Sequence, residues 1–560
     1  MQAVAAACFI GGLDNSGSSN SMIPRSKFTS RLSRVRNAAL EIVLRPFRWF
    51  SPASQLALGF AALVGSTSLL LVRWPLGLKS IGVLVLVLAS YFVLWRFVES
   101  HDADVDLSIS KRRAFALVGS AIVVETAVMR FGFLVAAGLA AQSTQAPLNS
   151  PSIWALTIPF AAASLLVTML VNRRLGLIVG VIASIFSGLL APNGAQATLF
   201  AFISCSAAVY GIKRYRERQS ITLAGLVVAG ANCVTALTLM AVAQRPLTLI
   251  GVVVAASCAI SGGLLTIIFS AGGVPINESL FGVLTDIRLL ELSNADLPVL
   301  SQLALRAPGT NQHSHAVGQL AEDASRAIGA NALLARIGSL YHDIGKVAAP
   351  DHFVENQTGC NPHDRLRPLQ SAKIITSHVT YGLKLAREIG LPKRVADFIP
   401  QHHGTRTLHF FLQKAAAQAN GGKINEAEFR YPGPKPQFKE AAILMLADSA
   451  EAAARSLAHP DPESVRAIVV RIFDAIIADG QLDESKLTLR ELTQIREALI
   501  GSLNALYHAR IDYPGFNVAT SPRSETGEAG DAERGVTYAK VADVPINASG
   551  EVEDEAMKRG

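Results

Sequence analysis

The apolar positions of this chain change rhythm once. They first come in eight nearly unbroken runs, near 55–72, 78–97, 114–140, 152–171, 175–191, 196–212, 221–243 and 248–271. Runs of this length predict membrane-spanning helices, several of them near the minimum, because a helix pairs its own backbone in lipid. Beyond them the spacing becomes helical and one-sided. Residues 272–308, with Phe281, Leu284, Ile287, Leu290, Leu292, Leu297, Leu300 and Leu303, predict short amphipathic helices joining the membrane part to a second domain. Leu333, Leu334, Ile337, Leu340 and Tyr341 repeat at helical spacing, as do Val395, Phe398 and Ile399, and Val465, Ile468, Val469, Ile472 and Phe473. Thr488 and Glu491 make a capping box ahead of Leu492, Ile495 and Leu499. The expected fold class is all-α, a polytopic helical membrane domain followed by a cytoplasmic all-helical domain.

Composition agrees with the pattern. A mean hydropathy of +0.34, with 50% hydrophobic and 17% charged residues, is too apolar for an ordinary soluble protein. The net charge of +8 could point to nucleic acid, but its distribution points to membrane orientation. Lys111-Arg112-Arg113, Arg173-Arg174 and the run Lys213, Arg214, Arg216 and Arg218 fall on alternate loops, while QSTQAPLNSPS and APNGAQ carry no basic residue. By the positive-inside rule both termini are cytoplasmic and the chain is a multi-pass protein of the inner (plasma) membrane. Arg73, Lys79 and Arg245 lie on the minority side. The five cysteines show no paired spacing, so neither a disulfide framework nor a zinc ribbon is expected.

Residues 1–50 carry seven basic residues between Arg25 and Arg48 and read as a basic cytoplasmic segment. The expected organisation continues with a membrane domain at 51–272, connecting helices at 273–308, a catalytic domain at 309–514 and a disordered acidic tail at 515–560. Glu125 and Arg130 fall inside the third apolar run, where an ionisable group is costly and is either paired or functional; a structural helix-to-helix pair is the simpler expectation. No repeated broken-helix pattern marks a transport pathway.

The chemistry is concentrated. Nine of the twelve histidines lie between His313 and His409. Within that interval and just beyond it stand His313, the adjacent pair His342-Asp343 in LYHDIGK, His378 in SHVTYG, His402-His403 in PQHHGT and Asp448 in ILMLADSAE. Imidazole with carboxylate suits Mn, Fe or Zn, and an adjacent His-Asp pair lets the carboxylate bridge two ions while the imidazole binds one. Inward side chains from several facing helices are the usual way a helical bundle builds such a site. His315 competes with His313 for the first position, and His352 and His409 read as surface or supporting residues.

LYHDIGK, the spaced His378, HHGT, FRYPGPKPQ and ILMLADSAEAAARSL, preceded by FGVLTDIRLLELSN and APGTNQHSH, resemble the seven-transmembrane-receptor HD family of cyclic di-AMP phosphodiesterases, within the HD metal-dependent phosphohydrolases. The resemblance implies a hydrolase with two divalent transition-metal ions, Mn or Fe. One would be held by His313, His342, Asp343 and Asp448, the other by Asp343, His378, His402 and His403. It implies Asp343 and Lys346 as catalytic residues, Lys346 as a phosphate contact, and Arg430, Tyr431 and Lys435 near the nucleotide. Cyclic di-AMP would be opened to pApA by a membrane-anchored enzyme. The family usually carries a large extracellular domain between its first span and the next seven; here WPLGLK leaves room for only a few residues.

The partners expected are a cyclic dinucleotide substrate and the lipid bilayer, with no nucleic acid polymer; a homodimer is left open. Other readings are the same chemistry on cyclic di-GMP, (p)ppGpp or a dNTP, a non-catalytic nucleotide-binding receptor, and a transporter with a regulatory domain. HHGTRTLHF lacks the GYP signature of the cyclic di-GMP enzymes.

Overall fold

The computed structural model describes residues 52–72, 77–100, 110–212, 219–244, 248–419, 423–457 and 460–507. The basic segment 1–50, the tail 515–560, Arg73, Arg245 and the basic run 213–218 lie outside the described residues. Among the described residues all regular structure is helical, with one isolated antiparallel bridge between Thr407 and Arg430. They form two compact units, divided between Leu297 and Pro298.

In the first unit each expected apolar run folds as helix: α1 (Pro52–Leu71), α2 (Leu78–Ser100), α3 (Lys111–Ala141), α4 (Pro151–Trp154) with α5 (Ala162–Leu170), α6 (Arg173–Leu190), α7 (Gly194–Gly211), α8 (Gln219–Val242) and α9 (Leu249–Phe281). Seven of these segments are long and apolar enough to cross a membrane, and α1 adds a shorter apolar stretch. Large apolar side chains such as Phe92, Phe131, Leu134, Leu223 and Ile268 stand exposed on them, a surface compatible with lipid rather than water. Inside, Phe60, Tyr91, Trp95 and Phe115 pack ring to ring, and the Tyr91 hydroxyl bonds Thr67 (2.9 Å) and the Gly119 carbonyl (3.2 Å). The unit is a multi-pass membrane domain.

Three expectations need correction here. The last span does not end near residue 271. It continues to Phe281, where Gly282 adopts the left-handed conformation (φ 67°) that ends many helices. Only α10 (Asp286–Leu292) and, in the second unit, α11 (Pro298–Arg306) are separate short helices in the expected connector. The 152–171 run, in turn, is not one helix. Pro159 has no N–H and forces Ile158 into extended backbone (φ −66°, ψ 130°), so the chain stops, turns and restarts at Ala162. Glu125 and Arg130, finally, have separate partners. Glu125 Oε2 accepts from Ala163 N (3.3 Å), and Arg130 donates to the carbonyls of Leu69, Leu70 and Val72 at the end of α1.

The second unit is built around one helix. In α18 (Lys439–Arg455) the run from Ala441 to Ala447 is fully buried on every side. Around it pack α12 (Pro308–Ala327), α13 (Ala332–Tyr341), α16 (Phe398–Gln401), α19 (Pro462–Ala478) and α20 (Leu489–Leu506). The capping box at the start of α20 is present, with Thr488 and Glu491 each accepting the other's backbone N–H. The helices α14 (Pro368–Ile389), α15 (Lys393–Ala396) and α17 (His409–Gln418) complete the unit.

Gly345 has a role other than stopping a helix. α13 already ends at Tyr341, and Gly345 lies in a 3-10 turn, Ile344–Ala348, pressed against α14. A Cβ there would lie 1.8 Å from the His378 carbonyl and 2.7 Å from Gly382 N. Backbone on both sides leaves nothing to yield, so Gly345→Ala is expected to cost about 3 kcal/mol or more of stability. A thermal melt of the variant beside the parent measures it; an unchanged midpoint would show that the two segments can separate freely.

Candidate metal centre

Four segments converge on α18. His313 comes from the middle of α12, His342 and Asp343 directly follow α13, His378 comes from the middle of α14, His402 and His403 follow α16, and Asp448 comes from α18 itself. Three overlapping groups have donor atoms within 4.8 Å of one another: His313, His342 and Asp448; His342, Asp343 and His402; and His378, His402 and His403. Asp343 stands between the two ends. Its Oδ2 lies 3.1 Å from His342 Nε2, while Oδ1 lies 3.4 Å from His378 Nε2 and 3.5 Å from His402 Nε2. Asp448 Oδ1 is 2.8 Å from His313 Nε2, and its Oδ2 is 3.8 Å from His403 Nδ1.

The imidazoles are aimed by their own helices. Nδ1 of His342, His378 and His402 lies 2.6, 2.6 and 2.8 Å from the carbonyl three residues earlier, at Ser339, Ile375 and Ile399. A carbonyl can only accept, so in the neutral ring each Nδ1 carries the proton and each Nε2 presents a lone pair toward the centre. His313 is aimed differently, with Nδ1 2.5 Å from Glu451 Oε2; the other oxygen of Glu451 is held by the Tyr507 hydroxyl at 3.2 Å.

The electrostatics fit a cation. Burial alone would raise the Asp343 carboxyl, but the His342 imidazolium and the Lys346 ammonium hold it well below the usual carboxylate range. Asp448 is likewise held low against the effect of burial, chiefly by its hydrogen bond with His313 Nε2. Burial favours a neutral His342, yet Asp343 and Asp448 push it up to about 10. Burial takes His378 down to about 3 and His403 well below the ordinary imidazole value, leaving both neutral. Two buried carboxylates are therefore balanced by protons on the very groups that would ligate an ion. His342 Nε2 and Asp343 Oδ1 are buried without a hydrogen-bond partner, as donor atoms awaiting a metal would be. Imidazole nitrogens with carboxylate oxygens suit divalent transition metals, so the residues present fit such ions.

The remaining expected residues have other surroundings. His315 and His409 are exposed, and His352 is half-buried beside His363, with ring centroids 5.3 Å apart. Lys346 Nζ is held between Asp343 Oδ2 (2.7 Å) and Glu355 Oε1 (2.8 Å). Tyr431 lies against His403, centroids 4.2 Å apart, at the rim of the centre. Arg430 pairs with Glu426 (2.8 Å) and donates to the Thr405 carbonyl (3.0 Å), and Lys435 donates to the Gly480 carbonyl (2.8 Å).

Sequence reasoning missed Glu451, Glu355 and Arg406. Glu451 was legible, since it stands three residues after Asp448 in ADSAE and therefore shares its helix face. Arg406 follows the His402-His403 pair in HHGTR, whereas nothing near Glu355 in the sequence marks it. Arg406 is half-buried with a hydroxyl, Ser449 Oγ at 2.7 Å, as its side-chain partner.

Residues 78–285 match the family model described as a 7TM receptor with intracellular HD hydrolase, and residues 310–453 match the HD domain. The chain belongs to the 7TM receptor HD hydrolase family. Among relatives, the cyclic-di-AMP phosphodiesterase PgpH of Bacillus subtilis is 39% identical over 364 residues, 64% of this chain and 51% of that protein. PgpH of Listeria monocytogenes is 39% identical over 363 residues, 64% of this chain and 50% of that protein. The crystal structure of the L. monocytogenes PgpH HD domain in complex with cyclic-di-AMP is 45% identical, with a TM-score of 0.37, and covers 39% of this chain and 100% of that one. The chain thus spans about half the length of the curated relatives it matches. Its HD-domain match takes in all seven converging side chains, and α1 precedes the stretch matched by the 7TM model.

Proposed function

We propose that this protein is a membrane-anchored, metal-dependent phosphodiesterase that hydrolyses cyclic di-AMP to pApA, with two Mn or Fe ions in the centre. One observation carries the reading: a single buried carboxylate, Asp343, turns one oxygen toward His342 and the other toward His378 and His402. A shared carboxylate of this kind supports two adjacent ions, one with His313, His342 and Asp448, the other with His378, His402 and His403. Bound there, divalent ions supply Lewis acidity toward phosphoryl oxygens and lower the pKa of a bound water. The activity of the PgpH relatives supports the substrate.

The chain's own residues do the rest. Carbonyls at Ser339, Ile375 and Ile399 keep three imidazoles in the ligating tautomer. Lys346 stands 2.7 Å from Asp343 and can turn its charge to a substrate phosphate while keeping Glu355 as a partner. Tyr431, tilted 31° against the His403 ring, offers an aromatic face to a nucleobase. Arg430 and Lys435 would contact nucleotide only by giving up Glu426 and the Gly480 carbonyl. The basic residues at the starts of α3 and α6 support a cytoplasmic HD domain at the inner membrane, where a nucleotide messenger would be found.

The test uses the full-length protein in lipid, loaded with Mn or Fe and offered cyclic di-AMP, cyclic di-GMP, (p)ppGpp and a dNTP. The expected result is pApA, with kcat/KM for cyclic di-AMP at least about tenfold above the others, the scale a few polar base contacts provide, and no turnover after chelation. Faster hydrolysis of another nucleotide, or turnover that survives chelation, would overturn the reading.

A further inference from the structure

We propose that Glu125, in the membrane domain, is a proton-binding site. The break in the span between Pro151 and Leu170 prepares it. Pro159 ends the first half, and the second half, α5, restarts at Ala162 behind Ala161, which has no side chain able to cap it. A helix start leaves backbone N–H groups without partners, and in lipid no water supplies them. Glu125 reaches across from α3 and accepts from Ala163 N at 3.3 Å, capping α5 from outside.

That contact uses one carboxyl oxygen. The other, Oε1, is buried and has no hydrogen-bond partner, and Glu125 as a whole is 3% exposed. Among the described residues no charged side chain faces it from the helices packed on α3, namely α1, α2, α4, α5, α6 and α9. Arg130, on its own helix, is committed to the carbonyls at the end of α1. Cys205, on α7, is the titratable neighbour, and its thiol already donates to the Phe160 carbonyl at 3.2 Å. A bare carboxylate here would be an unpaired charge at membrane depth, sustained by one long hydrogen bond.

Something positive must therefore sit on Oε1, and the surroundings favour a proton over a metal cation. A hard cation takes about six oxygen ligands. The oxygens around the break are already engaged: the Phe160 carbonyl by Cys205, the Ala162 carbonyl by Ser270 Oγ (3.3 Å), and Ser164 Oγ as donor to Gly176 (2.8 Å). A proton needs only the one free oxygen. Protonated, the group keeps its cap through Oε2 and places a neutral O–H at the break. Deprotonated, it leaves an anion that the start of α5 alone must stabilise, so proton occupancy and the integrity of the break are linked.

Infrared spectroscopy of the full-length protein in lipid nanodiscs tests this. At neutral pH the wild type should show a protonated-carboxyl C=O stretch that shifts in heavy water, is absent from Glu125→Gln, and converts to a carboxylate band at alkaline pH. Glu125→Gln keeps an acceptor for Ala163 N and should fold. Should it not, Glu125→Asp must retain a shifted band. Absence of the band at neutral pH would overturn the proposal. So would loss of the band on adding sodium at constant pH, which would make the site one for a metal cation.

Discussion

Asp343→Ala is expected to abolish hydrolysis, by at least ~10³-fold, the scale on which losing one preorganised electrostatic group at a reacting phosphate or carbonyl is felt. The side chain is 1% exposed and lies within 3.5 Å of His342, His378 and His402, whereas Asp448 reaches the second histidine group only at 3.8 Å, through His403. With it gone, His378, His402 and His403 lose the carboxylate oxygen beside them, and His342 loses the oxygen 3.1 Å away. The variant should therefore also bind at least one ion fewer, which metal analysis of the purified protein reads independently of activity. Lys346 keeps Glu355 as its partner, so the protein should still fold, and a thermal melt without metal checks that. Turnover within about tenfold of the parent, against the loss expected for a group acting in the transition state, would rule out a shared carboxylate.

Glu451→Ala should weaken metal binding and activity by roughly 10- to 100-fold, the usual cost of removing a residue that orients a ligand. Its carboxylate fixes His313, whose ring is aimed by another helix, whereas those of His342, His378 and His402 are aimed by carbonyls of their own segments. Glu451→Gln, which can still accept from Nδ1, should lose less. The measurement is a metal-competition titration at fixed pH, scored on the ion bound most weakly. Equal affinities in all three proteins would mean that packing alone holds the His313 ring.

What could be read from sequence was set by how local each cause is. The eight apolar runs depend only on composition over one span, and all became helix. The seven candidate ligands were findable because His-Asp and His-His neighbours stand out against an apolar background, and the structure brings all seven together. The failures have other origins. The break at Pro159 was visible as a single proline in an apolar run, yet Pro275 is absorbed within α9, so a proline alone does not fix where a helix stops. The need for glycine at 345 comes from the carbonyl of His378, far along the chain. Lys346 reads as a phosphate contact, with no sign in its spacing that Glu355, nine residues on, also holds its ammonium. For Gly345 and Lys346 the deciding atom belongs to a segment that sequence spacing could not place nearby.

The enclosure of α18 between Ala441 and Ala447 bears on how the proposed enzyme can be switched. Asp448 and Glu451 continue a rod whose preceding two turns are walled in on all sides, so turning it would mean dismantling much of the unit's interior. Control that must act quickly and reversibly is thus confined to the doorway, where His403 is one-fifth exposed and Tyr431 leans on it, and where the short turns from Ile344 to Asn356 carry Lys346 and its acidic partner. Catalytic power is kept permanently assembled, and admission is what remains adjustable.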